Sequence, residues 1–361
     1  MRVLVTGARG QLGSEIAFVA REFGDLSFVF VGKDELDICD FDAVCEFLGV
    51  KGEKNSQIHA KSVNFSQNSQ EIQGKNGSGE KNSQKSVNLK ANSSENSQNF
   101  APCVAKNDIN LNENSQNFAP KFDAIINCAA YTAVDRAESE RERAFALNEK
   151  GALNLAKACK STHTRLIHIS TDYVFDGKAT APIAENATTA PLGVYGASKL
   201  AGEKAVLAQN LKHACIVRTG WLYGEFGANF AKTIARLGRE KNELCVVNDQ
   251  VGTPTNARDL ARALCELLPR LDELQKTEIF HYSNEGVASW WEFAREILRM
   301  SGAKCVAKPV KTSEYLAMNA GKIIAPRPFY SVLDKAKIKK FLNLEIAQWQ
   351  ESLGKIDFGK I

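Results

Sequence analysis

The sequence contains no run of about 18 apolar residues, so it offers no candidate membrane-spanning helix. It also has no CxxC pair. Its nine cysteines, at positions 39, 45, 103, 128, 159, 215, 245, 265 and 305, are scattered singly through apolar segments. That distribution fits reduced core thiols, not a disulfide framework or a zinc site. An excess of charge of either sign is lacking: 46 Lys and Arg against 42 Asp and Glu leave a formal net charge of +4. Charge alone therefore points to neither nucleic acid nor a membrane surface. The opening MRVLVTGARGQLG breaks its apolar stretch with Gly and polar residues well short of a signal h-region, and the expectation is a soluble, cytoplasmic protein. What is present is 361 residues, 44% of them hydrophobic, enough for packed cores and, at about 150 residues per domain, for two domains.

Composition changes abruptly between residues 51 and 120. These 70 positions hold 14 Asn, 11 Ser and 7 Gln, side chains that bury little apolar area and cannot offset the entropy of ordering. The stretch is repetitive: NSQ recurs at Asn55, Asn68, Asn82, Asn96 and Asn114, and ENSQNFAP is copied at Glu95 and Glu113. The spacing is short and irregular and lacks the recurring apolar frame of a solenoid, so a disordered low-complexity insert is expected, with His59 solvated inside it. Removed from a surface connection, such an insert changes loop-closure entropy little.

The remainder alternates strand and helix. Val3, Leu4 and Val5 form a short buried strand. Gly7-Ala8-Arg9-Gly10-Gln11-Leu12-Gly13 follows, and then a helical pattern through Ile16, Val19 and Ala20. Strand, glycine turn and helix is the order in which a helix N-terminus receives a dinucleotide pyrophosphate: the first Gly makes the tight turn, the second admits the phosphates and the third lets the helix sit on the strand. Further strands are predicted at 26–32, 123–130, 165–171, 214–219, 244–248 and 278–283. Helices are predicted at 42–47, 144–159, 229–239, 257–268 and 290–300, a pattern that argues for a parallel doubly wound sheet.

The chemistry gathers between residues 170 and 199. Ser170-Thr171-Asp172 ends a buried strand, where open α/β sheets hold their ligands. Tyr195-Gly196-Ala197-Ser198-Lys199 opens a helix, so Tyr195 and Lys199 project the same way from successive turns. A phenol with a pKa of about 10 is a weak acid-base group at neutral pH, and a nearby ammonium lowers that pKa. A YxxxK alone says little; joined to the glycine turn and a strand-end Thr171 it points to a proton-transfer site beside a dinucleotide.

These residues resemble the extended short-chain dehydrogenase/reductase superfamily. VTGARGQLGSE from Val5, INCAAYTAVDRAESE from Ile126, HISTDYVFDG from His168, VYGASKLAGEKAV from Val194, RTGWLYG from Arg218, NFAKT from Asn229, VVNDQVGTPT from Val246 and Arg327-Pro328 together resemble the dTDP-4-dehydrorhamnose reductase family. The resemblance runs through nearly all of the chain outside 51–120. It implies an α/β, Rossmann-type doubly wound parallel sheet with a smaller C-terminal substrate-binding region. The NAD(P)-binding domain would take residues 1–50 and 121–250, and residues 251–361 would form the mainly substrate-binding region, interleaved with the first. The implied activity is NAD(P)H-dependent reduction of the C4 ketone of dTDP-4-dehydro-L-rhamnose to dTDP-L-rhamnose, the last step in making that donor for cell-surface polysaccharide.

Carried over residue by residue, the resemblance makes Tyr195 the proton donor. Lys199 would lower the Tyr195 pKa and hold the nicotinamide ribose, and Thr171 would hydrogen-bond the carbonyl oxygen. Gly7, Gly10, Gln11, Leu12 and Gly13 would receive the pyrophosphate, Asp37 and Ile38 would meet the adenine, and Ala130, Tyr131 and Thr132 would line the dinucleotide. The end of the second strand offers Lys33 beside Asp34 and Glu35, which favours NADPH with NADH also usable. Asp172 and Trp221 match positions that contact the sugar, while Asn229 and Arg327 are candidates for the substrate pyrophosphate. Bland readings stand beside these: Asn229 as a helix N-cap, Trp221 as a core aromatic, Asp135 as a cap, and Trp290-Trp291 as packing. Some family members bridge a dimer with Mg²⁺ through glutamates. Glu15 matches one of these, but Arg258 stands where such members carry Glu, and its charge would repel the metal, so no metal site is expected and a homodimer is left open. A dTDP-sugar is the expected partner, with no nucleic acid and no membrane. A nucleotide-sugar 4-epimerase and a non-catalytic relative resembling the regulatory subunit of methionine adenosyltransferase are the alternatives.

Overall fold

The computed structural model describes residues 1–50 and 121–359; the expected insert at 51–120, with His59, lies outside the described residues. The described chain forms a six-stranded sheet with helices on both faces. Its strands are β1 (Arg2–Thr6), β2 (Ser27–Val31), β3 (Ala124–Asn127), β4 (Arg165–Thr171), β5 (Ala214–Thr219) and, near the C-terminus, β7 (Glu278–His281). They lie in the order β7-β5-β4-β3-β1-β2, and every adjacent pair is parallel. Parallel strands covered on both faces are continuous apolar runs, and β3 and β5 are buried at every position. Strand order reverses around β1, whose neighbours are β2 and β3. That reversal opens a crevice at the carboxyl ends of the strands.

Successive strand side chains point to opposite faces, and β1 divides its residues accordingly. Val3 and Val5 join a core with Leu12 and Ile16 of α1 (Gln11–Val19) and with Leu260, Leu264 and Leu267 of α6 (Ala257–Arg270). Leu4 faces Val44 of α2 (Phe41–Leu48), Leu155 of α3 (Ala152–Thr162) and Val206 of α4 (Val194–Leu207). Asp40 caps α2 by accepting from the Asp42 and Ala43 backbone N–H groups, and Gly49 ends it at φ 72°. The C-terminal part of the chain supplies both α6 and edge strand β7 to this layer, so the sheet is completed by residues far along the sequence.

A second cluster of buried side chains, including Tyr223, Ile234, Phe293, Ile297 and Trp349, packs beneath α5 (Phe230–Glu240) and α7 (Trp290–Met300). Here the structure departs from the expected pattern. The strand predicted at 244–248 is β6 (Glu243–Val247), and it leaves the central sheet to pair with β8 (Val306–Val310). The reason is visible in its alternation: Glu243 and Cys245 are exposed while Leu244, Val246 and Val247 are buried, the pattern of a strand with one wet face. The helix predicted over 144–159 is interrupted by a π-helical turn at Ala146–Gly151 before α3 begins.

Candidate active site

The glycine turn is shaped by two close approaches. Gly7 has φ 67°, and a Cβ on it would lie 2.6 Å from the Ala129 backbone N; a Cβ on Gly13 would lie 2.5 Å from the Gly7 carbonyl oxygen and 2.7 Å from Ala8 Cα. Only glycine permits both. Gly10 begins α1 with no side-chain cap, and a Cβ there would meet only the Gly7 oxygen, at 3.1 Å. The first N–H groups of α1 thus face the crevice without an internal partner from a capping side chain. The Gln11 side chain, with its oxygen turned inward, accepts from the Tyr223 and Gly224 backbone N–H groups at 3.2 Å each, which holds the 224–229 loop beside this helix end.

Across the crevice, β4 delivers Thr171 and Asp172. Thr171 Oγ1 donates to Asp172 Oδ1 at 3.0 Å and accepts from the Tyr173 backbone N at 3.2 Å. Asp172 is 1% exposed, and its Oδ2 has no hydrogen-bond partner among the described residues. Burial pushes its carboxyl up to about 6, with the nearby Ser331 and Thr171 hydroxyls working the other way. Tyr195, in the first turn of α4, stands half-buried beside Thr171 and edge-on to Tyr173, ring centroids 5.5 Å apart. The approach depends on Gly196, where a Cβ would sit 2.2 Å from the Tyr173 carbonyl oxygen. Burial pushes the Tyr195 phenol up to about 12, while the adjacent Thr171 hydroxyl lowers it.

Lys199 is 2% exposed and donates from Nζ to the Ile169 carbonyl at 2.6 Å. Desolvation lowers its ammonium to about 8, and the Glu203 carboxylate one turn on opposes this. Burial of the Tyr195 phenol outweighs the Thr171 hydroxyl, and the Lys199 ammonium is engaged by the Ile169 carbonyl.

The remaining expected residues separate into groups. Arg327 is held by Asp135, Nη2 to both carboxylate oxygens at 2.8 and 3.0 Å, and its Nη1 donates to the Ala325 carbonyl. Asp135 is thus an ion-pair partner inside the short helix Val134–Ala137, not its cap. Trp221, at φ 51°, stacks on Trp290 with centroids 3.5 Å apart and planes 2° from parallel, and a Cβ on the preceding Gly220 would touch the Asp172 carboxyl at 2.6 Å. Asn229 is an N-cap: Oδ1 accepts from the Lys232 backbone N at 3.1 Å, and Nδ2 donates to the Gly224 and Phe226 carbonyls. Ile38 is a core residue whose carbonyl accepts from Asn154 Nδ2, and Asp37 makes a local turn by accepting from the Cys39 N. Ala130, Tyr131 and Thr132 follow β3, with Tyr131 Oη on Glu140; Thr132 is exposed. Lys33 is 81% exposed and lies 3.8 Å from Asp37.

Sequence reasoning missed several polar groups that hold this site. Asn148, in the π-turn, accepts from the Tyr131 backbone N at 2.8 Å and donates to the Tyr131 carbonyl and Ser198 Oγ. It ties the strand-end loop to α4, and π-turns often occur at functional sites. Asn127 links Thr6, on β1, to His168, on β4. Glu203 holds Arg218 and Ser170 behind the catalytic strand. For Asn127 the available signal was a polar residue in an otherwise apolar strand; Asn148 and Glu203, each followed by a charged residue, carry no such signal.

Glu15 is 1% exposed and receives Arg258 Nε at 2.9 Å, while Arg258 Nη2 reaches Glu225 at 2.8 Å. A guanidinium thus occupies the space between the two carboxylates. Among the described residues, no group of three or more His, Cys, Asp or Glu is arranged to hold a metal, and no helix is long and apolar enough to cross a membrane.

The chain is similar to known proteins over most of its length. The family described as RmlD substrate binding domain matches residues 79–357. The dTDP-4-dehydrorhamnose reductase of Escherichia coli K12 is 38% identical over 229 residues, covering 63% of this chain and 76% of the relative. The spore coat polysaccharide biosynthesis protein SpsK of Bacillus subtilis is 39% identical over 231 residues, covering 64% and 77%. Among solved structures, a dTDP-4-dehydrorhamnose reductase from Clostridium acetobutylicum aligns with TM-score 0.72 at 32% identity over 98% of each chain. One from Bacillus anthracis, in complex with NADP, aligns with TM-score 0.70 at 31% identity, again over 98% of each chain.

Proposed function

The chain belongs to the dTDP-4-dehydrorhamnose reductase family, and from that premise we propose how its own residues carry the reduction. The reaction converts the C4 ketone of dTDP-4-dehydro-L-rhamnose to the alcohol of dTDP-L-rhamnose. The residues fit a nicotinamide dinucleotide: Gly10 leaves the mouth of the turn open, and the start of α1 lacks a side-chain cap, a combination suited to a pyrophosphate. When bound, the dinucleotide supplies a hydride to C4 of the sugar.

Every other part of the chemistry belongs to this chain. Tyr195 is protonated at neutral pH, its phenol being pushed up to about 12. It gives that proton to the carbonyl oxygen as C4 accepts the hydride, leaving a phenolate that solvent re-protonates. Thr171 donates to the same oxygen and stabilises its developing charge; to do so its hydroxyl turns away from Asp172 Oδ1. Lys199 supplies positive charge behind the pair, which opposes the cost of the phenolate. Asp172, with its free Oδ2, accepts from a sugar hydroxyl, and Trp221 forms an apolar wall. Arg327 turns its fork toward the substrate diphosphate, exchanging Asp135 for phosphate oxygens. Asn229 serves the diphosphate indirectly, fixing the start of α5 and the loop before it. Gly7, Gln11, Leu12 and Gly13 build the cofactor turn, Ala130, Tyr131 and Thr132 flank it after β3, and Asp37 and Ile38 border the adenine. The division of labour between cofactor and sugar is interleaved along the chain rather than split at residue 250: α6 and β7 complete the central sheet, while α5 and β6 pack with α7 and β8.

The observation that carries this reading is the Tyr195 phenol beside the Thr171 hydroxyl at the carboxyl end of β4, next to the buried Asp172 carboxylate whose Oδ2 has no hydrogen-bond partner among the described residues. The test is absorbance of the reduced nicotinamide on mixing protein, NADPH or NADH and dTDP-4-dehydro-L-rhamnose. The parent should oxidise coenzyme in step with sugar reduced. Tyr195→Phe should lose at least about a hundredfold in rate, the usual contribution of a positioned proton donor; an unimpaired variant would refute the assignment.

A further inference from the structure

Trp221 sits at φ 51°, a region that bulky side chains rarely enter and that persists only where the surroundings over-determine it. The clamps on its main chain are two hydrogen bonds from one residue. The Trp221 carbonyl accepts from the Thr255 N–H at 3.1 Å, and the Gly220 carbonyl accepts from Thr255 Oγ1 at 2.6 Å. The clamps on its ring come from a single ribbon, the antiparallel pair of Val251–Gly252 with Ala288–Ser289. Gly252 lies against the Nε1–Cε2 bond of the indole, where a Cβ would come within 2.6 Å of both atoms. Ser289, opposite Val251, caps α7, whose first residue is Trp290. Trp290 then stacks flat on Trp221, centroids 3.5 Å apart. Phe230 supports Trp290 in turn, centroids 4.6 Å apart, and itself stacks on Phe293 of the second buried cluster.

The geometry points to Trp290 as a positioning residue for the sugar, acting through Trp221. This rests on the reading of Trp221 as the apolar wall of a reductase's sugar site. An unsupported indole turns among its side-chain rotamers and lets a strained backbone relax. Stacking on Trp290 removes that freedom, so the wall is set before the sugar arrives and the cost of ordering it does not fall on binding. The effect reaches the chemistry because Gly220, the residue before the wall, packs on the Asp172 carboxyl, a Cβ there falling 2.6 Å from Oδ2. Wall and carboxylate move together, and a shift of Trp221 tilts the C4 carbonyl relative to Tyr195. Trp291 is the contrast: its Nε1 donates to the Ala307 carbonyl at 2.9 Å and Arg295 covers its ring, which ties it to β8.

The test is steady-state kinetics of the full chain with saturating NADPH and varied dTDP-4-dehydro-L-rhamnose, beside coenzyme affinity read from the coenzyme's own fluorescence. Trp290→Leu should lower kcat/KM for the sugar by about tenfold to a hundredfold, the scale of a small misplacement, chiefly through KM, with coenzyme affinity unchanged. Trp290→Phe keeps a flat ring and should recover most of the loss, and Trp291→Phe should match the parent. Gly252→Ala, which drives the indole from its place, should reproduce the loss. Trp221→Leu/Trp290→Leu should be no worse than Trp221→Leu alone, since Trp290 acts through that ring. Additive losses in the double variant would overturn the proposal. So would parent-like sugar kinetics in Trp290→Leu and Gly252→Ala, or an equal weakening of coenzyme by Trp290→Leu, the mark of a general structural role. A parent that binds coenzyme but reduces no sugar would refute the reductase reading, and the role of the wall with it.

Discussion

Replacing Glu203 by Ala removes the counter-charge of a guanidinium that is 3% exposed. Arg218 donates to Glu203 from Nε at 2.8 Å and from Nη2 at 2.7 Å, and Ser170 donates to the same carboxylate at 2.5 Å. The neighbours cannot take over. Arg218 Nη1 already donates to the Glu185 carbonyl at 3.1 Å. His281 is neutral, its imidazole lowered to about 3 chiefly by burial, and offers only Nε2 at 3.4 Å. Breaking a buried pair from one side costs about 3–5 kcal/mol, a large part of the roughly 5–15 kcal/mol that holds a typical domain together. Urea denaturation followed by circular dichroism should show this as a lower midpoint at unchanged slope. Glu203→Leu/Arg218→Met removes both charges, and its stability should return to within about 1–2 kcal/mol of the parent, since apolar replacement of a whole buried pair is often neutral. A cost below about 1 kcal/mol for Glu203→Ala, or a double variant no better than the single, would refute the view that the carboxylate compensates an otherwise stranded charge. Lys199 provides an internal check, because losing Glu203 removes a contribution that raises its pKa.

Three further outcomes are expected. Gly13→Ala forces a Cβ against backbone atoms that cannot swing aside, 2.5 Å from the Gly7 oxygen, so coenzyme binding should fall by more than about tenfold, with about 1–3 kcal/mol lost in stability from overpacking; titration calorimetry and thermal melts read both, and unaltered affinity would count against the close-packed turn. Asp172→Asn should stabilise the ligand-free protein at pH 8 and not at pH 3. The carboxyl is raised to about 6 in the folded state, so the folded chain holds more protons than the unfolded one between the ordinary value and 6, and its charged form costs about 3 kcal/mol above that window at about 1.4 kcal/mol per unit. A stabilisation independent of pH would refute the burial argument. Asn229→Ala should cost about 1 kcal/mol as a lost N-cap, with Asn229→Ser restoring most of it; a Ser variant as stable as the parent but with KM for the sugar nucleotide raised tenfold would assign Asn229 a direct substrate contact.

The fold was legible where buried strands announced themselves as unbroken apolar runs. Arg165–Thr171 and Ala214–Thr219 match the expected limits, and so does Trp290–Met300, whose start carries a Ser289/Glu292 capping box. Topology was less accessible. An apolar run does not say which sheet it joins, and Glu243–Val247 is more apolar than β7 yet pairs with Val306–Val310, a strand concealed by Lys308 and Pro309. What separates the two is which helices lie above them, and that is a tertiary property. The π-turn at Ala146–Gly151 was likewise hidden, because it preserves helical spacing on both sides while rotating Asn148 toward Tyr131.

For the site, sequence located the groups that face the crevice but not those that aim them. Thr171, Tyr195 and Lys199 sit in motifs whose order along the chain suggests their meeting. Arg9 does not: nothing in GARGQLG says that its side chain crosses to the end of β2, where it pairs with Asp34 and Glu35. That crossing follows from two facts of the folded chain, the parallel pairing of β1 with β2 and the missing side chain at Gly32. Lys33 has the right charge at the right distance along the sequence, but it leaves the strand on an exposed turn and finds Asp37. A charge matters through the space its side chain can enter, and at the end of β2 that space is open to the glycine turn.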